Sequence, residues 1–339
     1  MADGSSDWQT EKFDAVAHEL GAKVERNVAL AAFTTFRVGG PAALFARVSH
    51  VDELVELCGV VRRHDLAVLC IGQGSNLLIA DAGFGGIAVV LEGQFERIER
   101  SGAQLTAGAA VKLPVLARQS AAAGLTGLEW AVGVPGSVGG AVAMNAGGHG
   151  SDVRASLRHA RTVNLRGQGA IDSRSADGLD LRYRSSNLAT DDIVLDATFQ
   201  LQPGDRARSE AEIAEIVRWR RANQPGGANC GSVFTNPVGE SAGRMIDQAG
   251  LRGHRVGTAA VSAKHANFVQ AGPGALASDV WALIGEVRRR VFEAFGVDLQ
   301  PEVRAVGLPP LDVLSGKWTD PPSTGSMASA RHDTKECSR

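Results

Sequence analysis

Two glycine-rich tracts constrain this chain more than any other feature: IGQGSNLLIAD at 71–81 and GVPGSVGGAVAMNAGGHG at 133–150. Glycine lets a backbone turn through positive φ or come close to a ligand, and the chain holds 41 of them against one tyrosine. The first tract begins as a dinucleotide fingerprint does, with an apolar strand running into Gly72-x-Gly74 and an acid, Glu92, about one βαβ unit further on. The motif then breaks. Leu77 stands where the third glycine belongs, and Asp81-Ala82-Gly83 interrupts the chain before a crossover helix can form. The reading that remains is a nest of backbone N–H groups around a diphosphate, with Ser75 and Asn76 adding side-chain donors. The second tract offers the same chemistry, and Ser137 opens a run able to start a helix whose N-terminus faces an anion. Two such tracts suggest a large phosphate-bearing ligand clamped from two sides, although each taken singly also reads as a tight loop cluster.

At 339 residues the chain is long enough for two or three domains. A net charge of −2 gives no electrostatic pull toward nucleic acid or anionic lipid. No apolar run reaches the roughly 20 residues that span a bilayer. The N-terminus is acidic where a secretory signal would be basic. Cys58, Cys70, Cys230 and Cys337 show neither CxxC nor metal-finger spacing. A cytoplasmic protein with reduced thiols and no metal site is expected.

Periodicity gives an α+β class. Helices are expected at 11–21, 51–64, 112–124, 207–223, 241–250 and 277–296, the third ending at Gly124 and the second carrying acids early and Arg-Arg-His late, as the helix dipole prefers. Strands are expected at 44–49, 67–72, 87–93, 157–167, 179–184, 193–201, 228–237, 265–272 and 298–307, with a hairpin in 95–110. Boundaries fall after 24, 93, 204 and 307: an N-terminal helical extension (1–24), two lobes (25–93 and 94–204) and a third unit (205–307) whose last strand returns to the first lobes. Residues 308–339, rich in Pro, Ser and Thr, read as a disordered tail.

TTFRVGGPA (34–42), GQGSNLLIAD (72–81), GLEWAVGVPGSVGGAVAMNAGGHG (127–150), YRSS (183–186), CGSVFTNP (230–237), RMIDQAGLRG (244–253), VSAKHANFV (261–269) and DLQPEVRAVG (298–307) follow one another in order. Together, over residues 25–307, they resemble the UDP-N-acetylenolpyruvoylglucosamine reductase (MurB) family. The resemblance implies a two-lobed FAD-binding fold of the vanillyl-alcohol-oxidase (PCMH) type, with a C-terminal α+β substrate-binding domain. It implies FAD, NADPH as co-substrate, and a small-molecule substrate, the enolpyruvyl ether of UDP-N-acetylglucosamine, reduced to UDP-N-acetylmuramate; non-covalent attachment and a monomer are expected besides. The cofactor contacts carried over are Arg37, Gly72, Gly74, Ser75, Asn76, Leu77, Gly133, Pro135, Gly136, Ser137, Gly139, Gly140 and Asn145. His149, the nearest candidate for covalent flavin attachment, is expected in a loop away from Gly72–Asn76. Two departures stand out: Thr235 replaces a lysine common in the family, and Tyr183, the sole tyrosine, belongs to the YR motif. The chain therefore resembles the subgroup without a tyrosine-bearing substrate flap.

Reducing an enol ether conjugated to a carboxylate needs a cation or hydrogen bonds for the developing enolate, and a proton delivered to carbon. Arg184 fits the first need, because its donor fork matches a carboxylate. By the resemblance, Glu302 lies at the enolate and Ser232 is the proton donor. Arg304 is expected on the same face as Glu302, and Tyr183, Asn236, His265 and Asn267 are the remaining substrate contacts. Acyl transfer through Cys230 or Ser232 finds no nucleophile elbow and no locally paired histidine. An oxidase on the same fold, or a non-catalytic flavin-binding scaffold, are the rival readings.

Overall fold

The computed structural model describes residues 5–311. Helix α1 (Ser5–Leu20) buries Val16 and Leu20 against the first lobe. That lobe is a four-stranded sheet built from β1 (Val24–Ala29), β2 (Pro41–Val48), β3 (Val68–Ile71) and β5 (Phe84–Leu91), ordered β1-β2-β5-β3. Helix α2 (Val51–Arg63) covers it with Leu54, Leu57, Cys58 and Val61, the i, i+3, i+4, i+7 stripe of an amphipathic helix. Glu53 closes its first turn by accepting from the Ser49 and His50 N–H groups at 2.7 and 3.1 Å. Between β3 and β5 the short β4 (Leu77–Ile79) leaves this sheet for another partner.

The second lobe is an antiparallel sheet of β6 (Ile98–Ser101), β7 (Gln104–Gly108), β8 (Leu157–Asn164), β9 (Ile171–Ser175) and β10 (Asp192–Gln200), ordered β9-β8-β10-β7-β6. Helices α3 (Leu113–Ala122), α4 (Val138–Ala143) and α5 (Arg206–Asn223) pack on it. Ile213 and Ile216 of α5 sit in the same core as Leu116 and Trp130. So α5 packs with the second lobe, and the break expected near residue 204 falls after this helix instead. The sequence reading misplaced it because a charged, self-capped helix after a turn looks like the start of a new unit.

The third unit holds α6 (Ala242–Gln248), a three-stranded antiparallel sheet of β11 (Arg255–Val256), β12 (Ala259–Val261) and β13 (Val269–Ala271), and α7 (Ala277–Phe295). Its core is not self-contained: Phe36, Val38 and Leu78 of the first lobe are buried with Val280, Ile284 and Val287. Finally β14 (Arg304–Val306) runs parallel to β4, pairing Arg304 with Leu77 and Val306 with Ile79. Asp81, just past β4, caps α7 from the first lobe, accepting from Ala277 N–H at 2.7 Å and Ser278 N–H at 3.0 Å. A carboxylate there satisfies two orphan donors and complements the helix dipole. Among the described residues no helix is long and apolar enough to cross a membrane.

Three expected strands come out shorter. Residues 179–184 form a turn, because Asp180 and Arg184 take left-handed φ of 44° and 55° and Arg182 and Ser185 bond to each other's backbone. Residues 228–237 form no strand and carry only isolated bridges, Ala228 to Ala271, Ser232 to Phe268 and Phe234 to Pro301. Only Val269–Ala271 of 265–272 pairs as a strand. Past Gly307 the chain still docks: Trp281 Nε1–H donates to the Pro309 carbonyl at 2.8 Å, Arg288 to that of Leu311 at 3.0 Å, and Leu308 and Leu311 pack on the third core. The tail expected from 308 therefore begins no earlier than 312, and 312–339 lie outside the described residues.

Two stability outcomes are expected. Asp81→Ala should cost about 0.5–2 kcal/mol in denaturant unfolding, the usual loss for an N-cap. A chain ending at Gly307 should melt lower than one ending at Leu311; equal melting temperatures would show that the docked segment contributes nothing.

Candidate active site

A cavity of about 1040 Å³ opens where the three units meet, at the upper end of the range for small-molecule sites. The loop after β3 forms one wall. Gly74 is left-handed at φ +58°, and a Cβ there would overlap the Phe33 carbonyl oxygen. A Cβ on Gly72 would strike the Ser137 hydroxyl, so the two glycine tracts touch across the cavity. Among the described residues the backbone N–H groups of Gln73, Gly74, Ser75 and Asn76 meet no acceptor. Four free amides in succession, lining a cavity, are what a nest for an anion requires. Asn76 does not add its side chain to the nest. Its amide donates to the Glu302 carbonyl at 3.0 Å, and its own carbonyl accepts from Arg304 N–H at 2.9 Å.

The second tract supplies the opposite wall but not a second nest. Ser137 does open α4, yet the first two helical N–H groups are taken: Val138 donates to Val111 O and Gly139 to Ala109 O, both at 2.9 Å. The glycines serve close packing here, a Cβ on Gly139 coming within 3.0 Å of that of Ala109. Gly133, Pro135, Gly136, Ser137, Gly139 and Gly140 all line the cavity, as do Gly72, Gly74, Ser75 and Leu77. Asn145 and Arg37 do not line it. Asn145 is buried with its amide spent on Asp152 and the Arg182 carbonyl and its oxygen on Arg154 N–H, so it fixes the turn before Arg184. Arg37 is exposed at the surface.

Arg184 holds a left-handed conformation that costs a non-glycine residue roughly 1–2 kcal/mol. Such strain gathers where the surroundings overdetermine a functional geometry. Its Nη2 donates to Gly147 O at 2.9 Å, and its Nε lies 3.0 Å from Glu302 Oε1. The distance alone suggests a hydrogen bond, but the Nε–H is not aimed at the carboxylate and finds no partner. The contact is therefore a charge pair with one buried donor left open beside the cavity. Burial pushes the Glu302 carboxyl above its ordinary range, with Arg184 opposing. Burial and the Glu302 charge push the Cys230 thiol up in turn, which disarms it as a nucleophile. Tyr183, 59% exposed, stacks its ring 5.1 Å from the Arg184 guanidinium and does not reach the cavity.

Ser232 lines the same cavity with Cys230, Glu302 and Arg304. The other expected substrate contacts do not line the cavity. Asn267 is buried, bonding both backbone groups of Phe234. His265 leans on Phe268, ring centroids 4.6 Å apart, and burial lowers its pKa. Asn236 accepts from Ala242 N–H at 3.1 Å and so sets the start of α6.

The cavity also takes Lys112, His149, Trp219, Arg220 and Gln224, which the sequence reading missed. The last turn of α5 presents Trp219 and Arg220, and a tryptophan in an otherwise charged helix was the available signal. His149, in a turn as expected, also lines the cavity and packs edge-on to Trp219 at 5.2 Å. Burial, then the Arg220 charge, lowers its pKa.

Known proteins are similar to this chain over most of its length. Residues 42–169 match the model of an FAD binding domain, and residues 223–306 match that of the UDP-N-acetylenolpyruvoylglucosamine reductase C-terminal domain. UDP-N-acetylenolpyruvoylglucosamine reductase of Lachnoclostridium phytofermentans is 42% identical over 291 residues, 84% of this chain and 93% of that protein. The enzyme of the same name from Gloeobacter violaceus is 43% identical over 292 residues, 84% and 97% of the two chains. The crystal structure of UDP-N-acetylenolpyruvylglucosamine reductase (MurB) from Thermus caldophilus superposes with a TM-score of 0.73 at 35% identity, covering 84% of this chain and 98% of that one.

The two loop glycines should respond differently. Gly72→Ala meets only a rotatable hydroxyl, so the fold should survive while FAD titrated into the apoprotein binds at least about tenfold more weakly, or ~1.4 kcal/mol. Gly74→Ala meets backbone at a left-handed φ and should lose 2 kcal/mol or more of stability, about the upper end for single mutants outside the core. Native flavin affinity in Gly72→Ala would remove this loop from the cofactor site.

Proposed function

The chain belongs to the UDP-N-acetylenolpyruvoylglucosamine reductase family, and from that premise we propose that Arg184, Glu302 and Ser232 are its catalytic groups. The enzyme is an FAD-dependent oxidoreductase of peptidoglycan precursor synthesis that acts on a small nucleotide sugar. The observation carrying the assignment is the Arg184–Glu302 charge pair in the cavity that also takes the Gln73–Asn76 loop and Ser232.

Those amides suit the diphosphate of FAD, since they offer four donors with no side chain between backbone and anion. Bound there, FAD would supply the hydride, originating from NADPH, that the terminal carbon of the enolpyruvyl ether takes up. The protein's part is electrostatic and protonic. Arg184, anchored through Nη2 and lining the cavity, receives the substrate carboxylate, where charge grows during the reaction. Arg304 adds a second cation on that wall. Glu302, half-shielded from water and paired with Arg184, limits how far the guanidinium can shift and holds the polarity of the pocket next to Ser232. The Ser232 hydroxyl gives the proton to the carbon bearing the ether oxygen.

We read the remaining features the same way. Non-covalent FAD is consistent with a His149 ring engaged by Trp219, and acid precipitation should release all of the flavin into the supernatant. We propose a monomer, supported by one chain bringing every named group to the cavity, working in the cytoplasm, where a nucleotide-sugar precursor and NADPH are at hand.

Ser232→Ala should leave reduction of the bound flavin by NADPH within about twofold, because that half-reaction delivers no proton to substrate carbon. Reoxidation by the enolpyruvyl substrate should slow by about 10²–10⁴, the range for one positioned general acid. Stopped-flow absorbance separates the two. A normal reoxidation rate in the alanine variant would end the proton-donor assignment.

A further inference from the structure

We infer that Asn267 is the positioning residue for Ser232: its side chain locks the backbone that carries the hydroxyl. The inference rests on the Ser232 reading above. Ser232 is exposed to the cavity, and among the described residues its hydroxyl meets no protein partner. Nothing but its backbone therefore fixes it. That backbone belongs to no regular sheet, since residues 230–235 make only the two isolated bridges. On its N-terminal side stands Gly231 at φ +84°, a position where the chain bends without steric cost. Left to itself, such a segment would be among the easiest parts of the fold to open.

Asn267 prevents this. Its Oδ1 accepts from Phe234 N–H at 3.0 Å and its Nδ2 donates to Phe234 O at 2.8 Å, so one side-chain amide does what a neighbouring strand would do. Its own carbonyl accepts from Val233 N–H at 2.9 Å. The fourth polar group of the pair, Val233 O, accepts from Glu302 N–H at 2.7 Å. Every backbone donor and acceptor of Val233 and Phe234 is thus taken, three by Asn267 and one by Glu302. The residue is 3% exposed, so water cannot replace it. Two residues from the proton donor, the clamp ties Ser232 to the same frame as Glu302 and, through it, Arg184. Displacing a reacting group by about 1 Å can cost on the order of 10²-fold in rate.

A double-mutant cycle with Ser232→Ala tests this. Asn267→Ala should slow substrate-driven reoxidation by about 10–100-fold, with NADPH-driven reduction and flavin content near wild type and a lowered melting temperature. In the Ser232→Ala background the same change should lower the melting temperature equally but slow reoxidation no further, because coupled residues are non-additive. Asn267→Ser, which keeps a polar group in less volume, runs the same cycle if the alanine variant does not fold. Equal slowing in both backgrounds, or native reoxidation in either Asn267 variant, overturns the inference. Ser232→Ala with normal reoxidation instead removes the reading beneath it, so that one variant tells the two failures apart.

Discussion

The parallel pairing of β14 with β4 is the contact on which the active site depends. It joins residues more than 200 positions apart, Asn76 and Glu302 being bonded across a separation of 226. Chain entropy makes such a closure only slowly costlier with length, and the shared core of Phe36, Val38 and Leu78 with α7 supplies the burial that offsets it. Three consequences follow from one short ladder. Glu302 arrives beside Arg184, the loop of free amides is fixed at Asn76, and the Ser232 segment gains a neighbour in Glu302 N–H.

The cofactor walls divide their labour by how each spends its glycines. In the first tract glycine keeps side chains away and leaves amides free for an anion. In the second it lets α4 approach the 109–111 loop closely enough that its leading amides are consumed there. The same residue type thus makes a binding surface in one place and a packed wall in the other. What separates them is whether a backbone carbonyl lies within reach.

The electrostatics concentrate on one half-buried pair. Arg184 is held in an unfavourable backbone conformation by Asn145 and the Arg182–Ser185 turn, while burial works against the charge on Glu302. A structure built only for stability would align the guanidinium with the carboxylate and fill its donors. Here the buried Nε–H has no partner although Glu302 lies 3.0 Å away, the kind of exception that gathers at functional sites.

Most helices, the α+β class and the order of family motifs were legible because they rest on local periodicity, caps and residue chemistry. α7 ends at its glycine, and α2 shows its apolar stripe. The residues that line the cavity in the tracts and at Arg184, Ser232 and Glu302 were also readable, since their chemistry needs those side chains in those motifs. Tertiary structure alone decided the rest. It assigned α5 to the second lobe, gave the buried Asn145 and Asn267 backbone partners for their amides, and brought Trp219, Arg220 and His149 into the cavity. An asparagine in a motif looks the same whether its amide meets a ligand or a backbone. Only the partner, supplied by chain distant in sequence, settles which, and hydrogen-bond satisfaction is a property of the folded neighbourhood that local sequence does not carry.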